Sequence, residues 1–280
     1  MPTVLLTGAS RGIGRATALR LAANGWEVFA GVRRLEDGEA LARESAAGRI
    51  APVVLDVTDS EQVAALDGAL PERLDALVNN AGIVVAGPVE GVSIEDLRRQ
   101  MEVNVIGQVA VTQALLPRLR ASSGRLLFVS SIGGRVSTPM MGAYSASKFA
   151  LEALADAFRL ELRRWGIQVV LIEPGAIDTD LWRQAPDTAR ETEEALAPEL
   201  RELYADHLVG IRKTIPRMQK QASAAEVVAA TVQRALTATR PRTRYLVGTD
   251  ARLQAMVGAA LPTRAADAAI AMFAGMPSKP

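Results

Sequence analysis

Short apolar runs of strand length, bounded by Gly, Asp or Asn, recur along the chain at residues 4–6, 28–30, 53–55, 74–78, 126–129 and 169–172. Between them, at 15–24, 61–69, 94–120 and 146–165, apolar positions fall at helical spacing. This alternation predicts a parallel sheet with helices on both faces, joined by right-handed crossovers. A further helix at 224–236 and strand at 244–247 follow, then two apolar helical stretches, 251–261 and 264–273, split by Pro262. Residues 181–221 fit no core strand and read as an insertion over the site. Within it Leu196, Leu200, Leu203, Leu208, Ile211 and Ile215 recur at helical spacing among charges, which predicts an amphipathic lid helix. The expected architecture is a doubly wound α/β sheet in one domain over residues 1–280, with a lid at 181–221 and a C-terminal helical extension at 249–280. In such a sheet ligands bind at the carboxyl ends of the strands, so chemically loaded residues there carry the function.

Composition removes several classes. Hydrophobic residues at 49% and charged residues at 22% are ordinary globular values and exclude collagen-like and disordered chains. With 32 Lys and Arg against 31 Asp and Glu, the chain offers no global attraction to nucleic acid or to an anionic membrane. Cysteine is absent, which removes disulfides, thiolate metal sites and a Cys nucleophile, and no metal site is expected. The first residues lack the pattern of a signal peptide, and no run approaches the ~18 apolar residues of a membrane span, so a cytoplasmic location is expected.

Two constellations carry chemistry. The first strand runs into Thr7-Gly8-Ala9-Ser10-Arg11-Gly12-Ile13-Gly14 and then a helix. Glycines at such a turn let backbone N–H groups and the helix dipole approach a pyrophosphate closely. The same octet contains Gly8-x-Ser10-x-Gly12, a nucleophile elbow, and Asp178 or Asp180 with His207, the single histidine, completes the order of a serine hydrolase. That reading loses its oxyanion hole, because the loop that would supply a donor follows an earlier strand and only seven residues precede Gly8. Further on, Tyr144 and Lys148 are four residues apart, on one face of a helix, so the ammonium is expected beside the phenol. A nearby cation favours the phenolate and lowers a pKa of about 10 toward a useful range. Ser131, just past the fifth strand, is placed to hydrogen-bond the same reacting oxygen.

Together, Thr7-Gly8-x-x-x-Gly12-x-Gly14, Asn79-Asn80-Ala81-Gly82, Asn104, Ser131, Tyr144-x-x-x-Lys148 and Pro174-Gly175 resemble the short-chain dehydrogenase/reductase family, in its order and at its usual intervals, as far as about Gly248. The branch containing hydroxysteroid and retinol dehydrogenases is the most similar. The resemblance implies a Rossmann-type domain in which Tyr144 is the acid/base, Ser131 orients and polarises the carbonyl, and Lys148 lowers the tyrosine pKa while holding the nicotinamide ribose. Asn104 would anchor a water through which Lys148 passes protons. Gly8, Ser10, Arg11, Gly12, Ile13 and Gly14 would bind the cofactor phosphates. Asp56 and Val57 match the pair that meets the adenine, Asn80, Ala81 and Gly82 the turn beside the riboses, and Pro174, Gly175, Ile177 and Thr179 the segment flanking the nicotinamide.

The end of the second strand also indicates the cofactor. Enzymes of this kind that use NAD place a carboxylate there to hold the ribose 2′-OH, whereas here Val32 occupies the position and Arg33 follows it. With Arg11 in the glycine turn, two guanidinium groups are available for a 2′-phosphate, which favours NADP(H) over NAD(H). Trp182, Met140 and the apolar lid point to a medium or large apolar ketone or alcohol. A non-catalytic NADPH-sensing module is the alternative, although it has no need of Ser131, Tyr144 and Lys148 together. A homodimer or homotetramer is expected, and the C-terminal extension departs from the simplest family pattern.

Overall fold

The computed structural model describes residues 1–46 and 48–277. Its first half runs β1 (Thr3–Thr7), α1 (Gly12–Ala23), β2 (Glu27–Val32), α2 (Leu35–Glu44), β3 (Ile50–Val54), α3 (Ser60–Ala69) and β4 (Ala76–Asn79), then α4 (Ile94–Met101), α5 (Gly107–Ser122) and β5 (Arg125–Val129). The second half contains α6 (Gly142–Glu161), β6 (Gln168–Pro174), β7 (Ile177–Asp178), α7 (Asp180–Arg183), α8 (Ala185–Ala195), α9 (Pro198–Leu203), α10 (Ala205–Gln221) and β8 (Ser223–Ala224). It closes with α11 (Ala225–Thr237), β9 (Arg244–Val247), α12 (Thr249–Ala260) and α13 (Thr263–Phe273).

Seven strands form one parallel sheet in the order β3-β2-β1-β4-β5-β6-β9. Successive side chains face opposite sides, which divides the core in two. Val4 and Leu6 of β1, Val28 and Ala30 of β2, and Leu127 and Val129 of β5 face Ala18 and Leu21 of α1 and Val228 and Val232 of α11. Their alternates Leu5, Leu77, Leu126 and Phe128 face Val111, Leu115 and Leu119 of α5 and Leu151 and Ala155 of α6. Each fully buried side chain of this size contributes ~1.5–3 kcal/mol, enough to fix register along the sheet. The direction of strand order reverses between β1 and β4, so the turns after these two strands open a crevice where an open α/β sheet takes its ligand.

Three elements differ from the sequence reading. Helix α2, absent from the sequence reading, buries only Gly38 and Leu41; a Cβ at Gly38 would lie 2.7 Å from Pro52, so the helix rests directly on β3. The expected helix at 94–120 is broken by a π turn, Glu102–Ile106, which turns Asn104 and Val105 inward. The lid is three helices, α8 to α10, rather than one. Pro198 disfavours the helical region for its predecessor, and Ala197 is extended at φ −55°, ψ 145°. Leu203, expected on the buried stripe, is exposed. The two-residue ladder β7–β8 ties the two ends of the insertion together.

Candidate active site

The turns after β1 and β4 are stitched to each other. The buried Thr7 hydroxyl accepts from the backbone N–H groups of Asn80 (2.9 Å) and Ala81 (3.0 Å). The Asn80 amide in return donates to the carbonyls of Thr7 (2.9 Å) and Gly8 (3.1 Å). Gly8 and Gly12 have φ of +65° and +53°, the left-handed region that glycine enters without strain. A Cβ at Gly14 would lie 2.1 Å from the Gly8 carbonyl oxygen, and one at Gly12 3.1 Å from Thr179 Cγ2. The first turn of α1 has no acidic residue and no side-chain cap, so its N–H groups and positive dipole end are left for an external anion. The observation fits a dinucleotide phosphate: the backbone is close-packed where a side chain would intrude.

A cavity of about 140 Å³ lies beside this turn. Asn104, Ser131, Tyr144 and Lys148 line one part of it. Ile13, Asn80, Gly82, Pro174, Gly175, Ile177 and Thr179 line the rest, with Trp182, Ile83 and Val84 as apolar wall. Tyr144 and Lys148 are both on α6, whose start at Gly142 precedes the expected one. Lys148 is 4% exposed; its ammonium donates to the Val129 carbonyl (2.8 Å) and lies 5.7 Å from the centre of the Tyr144 ring. Burial pulls it down to about 8, against the opposing field of Glu152. Burial likewise raises Tyr144 above its ordinary value, with a hydrogen bond from Ser131 working the other way. The expected depression of the phenol by Lys148 is therefore corrected: in the structure desolvation dominates. Ser131 accepts from the Gly133 N–H (3.0 Å) and donates to the Pro174 carbonyl (3.4 Å).

Asn104 clamps the chain opposite. It accepts from the Ile83 N–H (2.8 Å) and donates to the Ile83 carbonyl (3.0 Å) and to Ser147 Oγ (3.1 Å), while Ser147 donates to the Tyr144 carbonyl (2.6 Å). Its side chain thus links the segment after β4 to the helix of Tyr144. Gln100, a residue the sequence reading missed, repeats the device one turn earlier, accepting from the Val85 N–H (2.6 Å) and donating to the Ile83 carbonyl (3.0 Å). Both are fully buried polar side chains on a helix, satisfied by the backbone of the facing segment. Asp250 was missed as well: it accepts from the Ala176 N–H (2.7 Å), and a Cβ at Gly175 would lie 2.1 Å from its Oδ2. The first turn of the C-terminal extension therefore holds the Pro174-Gly175 loop.

Outside the cavity, Gly8, Ser10, Arg11, Gly12 and Gly14 form the glycine turn, and Ala81 is bound to Thr7. Arg33 follows β2, exposed and in no ion pair among the described residues, whereas Arg34 is held by Asp37 (3.0 and 2.9 Å). Asp37 is depressed by that hydrogen bond and, more weakly, by the charges of Arg33 and Arg11. Val32 is only 2% exposed and packs in the core, so the position expected to choose between cofactors faces inward. Asp56 Oδ1 accepts from the Thr58 N–H (3.0 Å) and hydroxyl (2.7 Å), the geometry of a turn leaving the strand, and Val57 is buried beside Gly107. Met140 does not line the cavity. Its φ is +64° and its carbonyl accepts from Gly87 N–H (2.7 Å). His207 sits on α10 against the Tyr204 ring (5.4 Å), and no hydrogen bond joins it to Ser10 or to Asp178 or Asp180 among the described residues. The hydrolase constellation does not assemble.

This sheet, turn and polar cluster define an oxidoreductase of the dinucleotide-binding class. The chain belongs to the short chain dehydrogenase family, whose model matches residues 2–190. It is 36% identical over 260 residues to an NADPH-dependent 3-dehydrocapnine reductase from Ornithobacterium rhinotracheale, covering 88% of each chain. Retinol dehydrogenase 5 of Mus musculus is 32% identical over 288 residues, 99% of this chain and 90% of the relative. The solved structure of a short chain dehydrogenase from Burkholderia cenocepacia J2315 in complex with NADP has a TM-score of 0.75 at 28% identity, covering 99% of this chain and 98% of that one.

Proposed function

We propose that the protein interconverts a ketone or aldehyde and the corresponding alcohol with NADP(H), and that its substrate is a medium-to-large apolar molecule. The observation that carries this reading is the single cavity in which Ser131, Tyr144 and Lys148 meet the Pro174-Gly175 loop beside the glycine turn. Gly8, Ser10, Arg11, Gly12, Ile13 and Gly14 would hold the cofactor phosphates, Asp56 and Val57 the adenine, and Asn80, Ala81 and Gly82 the riboses. Pro174, Gly175, Ile177 and Thr179 would flank the nicotinamide. Arg33 with Arg11 would take the 2′-phosphate, which is supported by their shared influence on Asp37 and by Arg33 making no ion pair among the described residues. The Ornithobacterium relative is NADPH-dependent and the Burkholderia structure holds NADP, in line with this reading.

A nicotinamide held by these residues would supply or accept the hydride. The remaining work falls to the chain's own side chains. Tyr144 is protonated at neutral pH, since burial raises it, and so donates to the carbonyl oxygen in reduction. Ser131 hydrogen-bonds that oxygen and orients it. Lys148 keeps a positive charge next to the phenol and favours the phenolate that reduction leaves behind. Asn104 fixes the geometry from the opposite wall. Trp182, Ile83 and Val84 shape the apolar side that supports the substrate class.

The same reading places the enzyme in the cytoplasm as a homo-oligomer of single-domain subunits, with 181–221 as lid. No helix among the described residues is long and apolar enough to cross a membrane, and the exposed Leu253, Met256 and Met272 of α12 and α13 offer an apolar face to a second subunit. The test is a panel of apolar ketones, aldehydes and alcohols with NADPH or NADP⁺, followed by nicotinamide absorbance. Turnover with Tyr144→Phe at wild-type rate would remove the acid/base assignment, and binding of NADPH without turnover of any carbonyl would favour the sensing module.

A further inference from the structure

Behind the cavity, on the side of α6 away from the glycine turn, lies a buried cluster of charges that the reaction as described does not use. Tyr144, Lys148, Glu152 and Asp156 succeed one another at intervals of four along α6 and so lie in one stripe. The first two reach the cavity. The second two hold Arg244 of β9: its Nε donates to Glu152 Oε2 at 3.0 Å and its Nη2 to Asp156 Oδ2 at 2.8 Å. Arg244 Nε also lies 3.2 Å from Oε1 of Glu173, a fully buried residue of β6 immediately before Pro174. Glu173 in turn binds Arg135 through both oxygens, at 2.9 and 3.0 Å.

Arg135 closes the short 3₁₀ turn Ile132–Gly134 whose cap is Ser131. Its ion pair therefore ties the Ser131 turn to β6. The same turn presses on α6: a Cβ at Gly134 would stand 3.0 Å from Glu152 Cγ, from the Lys148 carbonyl and from Ser130 Oγ. Three segments that supply the site, the Ser131 turn, the Lys148 helix and the Pro174 strand, thus meet on one set of carboxylates and guanidinium groups.

Burying such charges gives little stability, because desolvation offsets most of the attraction, and an apolar replacement of equal volume is often as stable. The position of the cluster is what distinguishes it. We infer that Glu152 and Glu173, joined through Arg244 and Arg135, are positioning residues: Glu152 is the counter-charge that keeps Lys148 in its ammonium form, and Glu173 fixes the turn that carries Ser131. The inference rests on the acid/base reading given above.

The surroundings support the first half. Glu152 is 8% exposed, and its Oε1 is buried with no hydrogen-bond partner, an uncompensated acceptor one helical turn from Lys148. The charged groups around it are Lys148 and Asp156 on α6, Glu173 on β6, Arg244 on β9 and Arg135 on the 3₁₀ turn. Burial, followed by the Glu152 carboxylate, pushes Glu173 up to about 7. The field of Glu152 is the influence opposing the desolvation of Lys148.

The chain has four lysines, Lys148, Lys213, Lys220 and Lys279, so Lys148 can be titrated directly by NMR of protein labelled with ¹³Cε-lysine, assigned by the signal lost in Lys148→Arg. In the full-length protein without added cofactor, Glu152→Gln is expected to lower the Lys148 midpoint by roughly half a unit or more. A folded Glu152→Gln protein with an unmoved midpoint would overturn the role of Glu152. For the second half, Glu173→Gln is expected to lower kcat about tenfold, since small misplacements at a reacting centre cost this much or more, with KM and the fluorescence-measured Kd for NADPH within about twofold. Unchanged kcat would show that the Ser131 turn does not depend on Glu173. Should the wild-type protein reduce no carbonyl, the acid/base reading fails while the Lys148 titration still decides whether Glu152 is its counter-charge.

Discussion

Gly14 and Gly68 are both glycines inside helices, and the same substitution at each is expected to act with opposite sign. At Gly68, in the last turn of α3, an added Cβ meets nothing within 4 Å. Alanine there reduces the entropy of the unfolded chain and improves helix propensity, a gain of about 0.5–1 kcal/mol. At Gly14 the helix propensity argument is identical, yet the Cβ would fall 2.1 Å from the Gly8 oxygen, more than an ångström inside the 3.4 Å at which ordinary contact begins, and 2.7 Å from Asn80 Nδ2. The turn must open or α1 must shift, an overpacking cost of ~1–3 kcal/mol. For a chain of this size each kcal/mol moves Tm by about 2–4 °C. Gly68→Ala should therefore raise Tm by about 1–4 °C and leave NADPH affinity alone, whereas Gly14→Ala should lower Tm by roughly 2–10 °C and weaken NADPH at least ~10-fold, because the phosphate cradle is the part displaced. Differential scanning fluorimetry and NADPH fluorescence titration read the two effects on the same samples. If Gly14→Ala binds NADPH with wild-type affinity, the close approach at the glycine turn has no part in holding the cofactor.

The other expectations concern single side chains. Tyr144→Phe should reduce kcat by ~10²–10⁴-fold with NADPH affinity little changed, as measured by steady-state kinetics with the best carbonyl of the panel. Arg33→Ala should cost ~10- to 100-fold in kcat/KM with NADPH, the worth of one charge-assisted hydrogen bond, and far less with NADH; equal losses with both cofactors would move the phosphate site elsewhere. Val32→Asp, which places a carboxylate on a 2% exposed core position, should lower Tm before it alters cofactor preference, and a stable variant that turns to NADH would show that Val32 can face the ribose. Glu173 sits at about 7 in the fold against an ordinary 4.5, so the folded state binds the extra proton between these values. Its contribution to stability is present below pH ~4.5 and lost as pH rises through about 7, and Glu173→Gln should flatten the Tm profile over that range.

The sheet was legible because its strands are apolar on both faces and its helices bury continuous stripes: the runs at 4–6, 126–129 and 169–172 fall inside the observed β1, β5 and β6. Motif spacing brought Ser131, Tyr144 and Lys148 to one cavity, since Ser131 follows the carboxyl end of β5 and the tyrosine and lysine share a face of α6, while Asn104 reaches it from the π turn between α4 and α5. What escaped has identifiable causes. Helix α2 buries only two positions, one of them a glycine that adds no apolar side chain to a stripe. The π turn at Glu102–Ile106 adds a residue to one turn without changing the apolar pattern around it. Pro198 was visible as a helix breaker, but the leucines on either side kept a helical interval across it. Gln100 and Asp250 act on backbone groups of Ile83, Val85 and Ala176, contacts between segments far apart in sequence that no local pattern encodes.

The electrostatics of the site follow from this same enclosure. Burial is the largest influence on both Tyr144 and Lys148, and it drives each toward its neutral form: the phenol up, the ammonium down to about 8. A spacing argument sees only the pair, and from the pair alone predicts a depressed tyrosine. The structure adds the low-dielectric wall around it, together with Ser131, whose hydrogen bond favours the phenolate, and Glu152, whose charge keeps the lysine protonated. The resting site therefore holds a protonated phenol beside a cation that titrates near the working pH, the state required to deliver a proton to a carbonyl oxygen. On the proposed reading the phenolate left by that transfer is stabilised by Lys148 only while Lys148 is charged, so the role inferred for Glu152 is to oppose the desolvation that burial of the helix imposes.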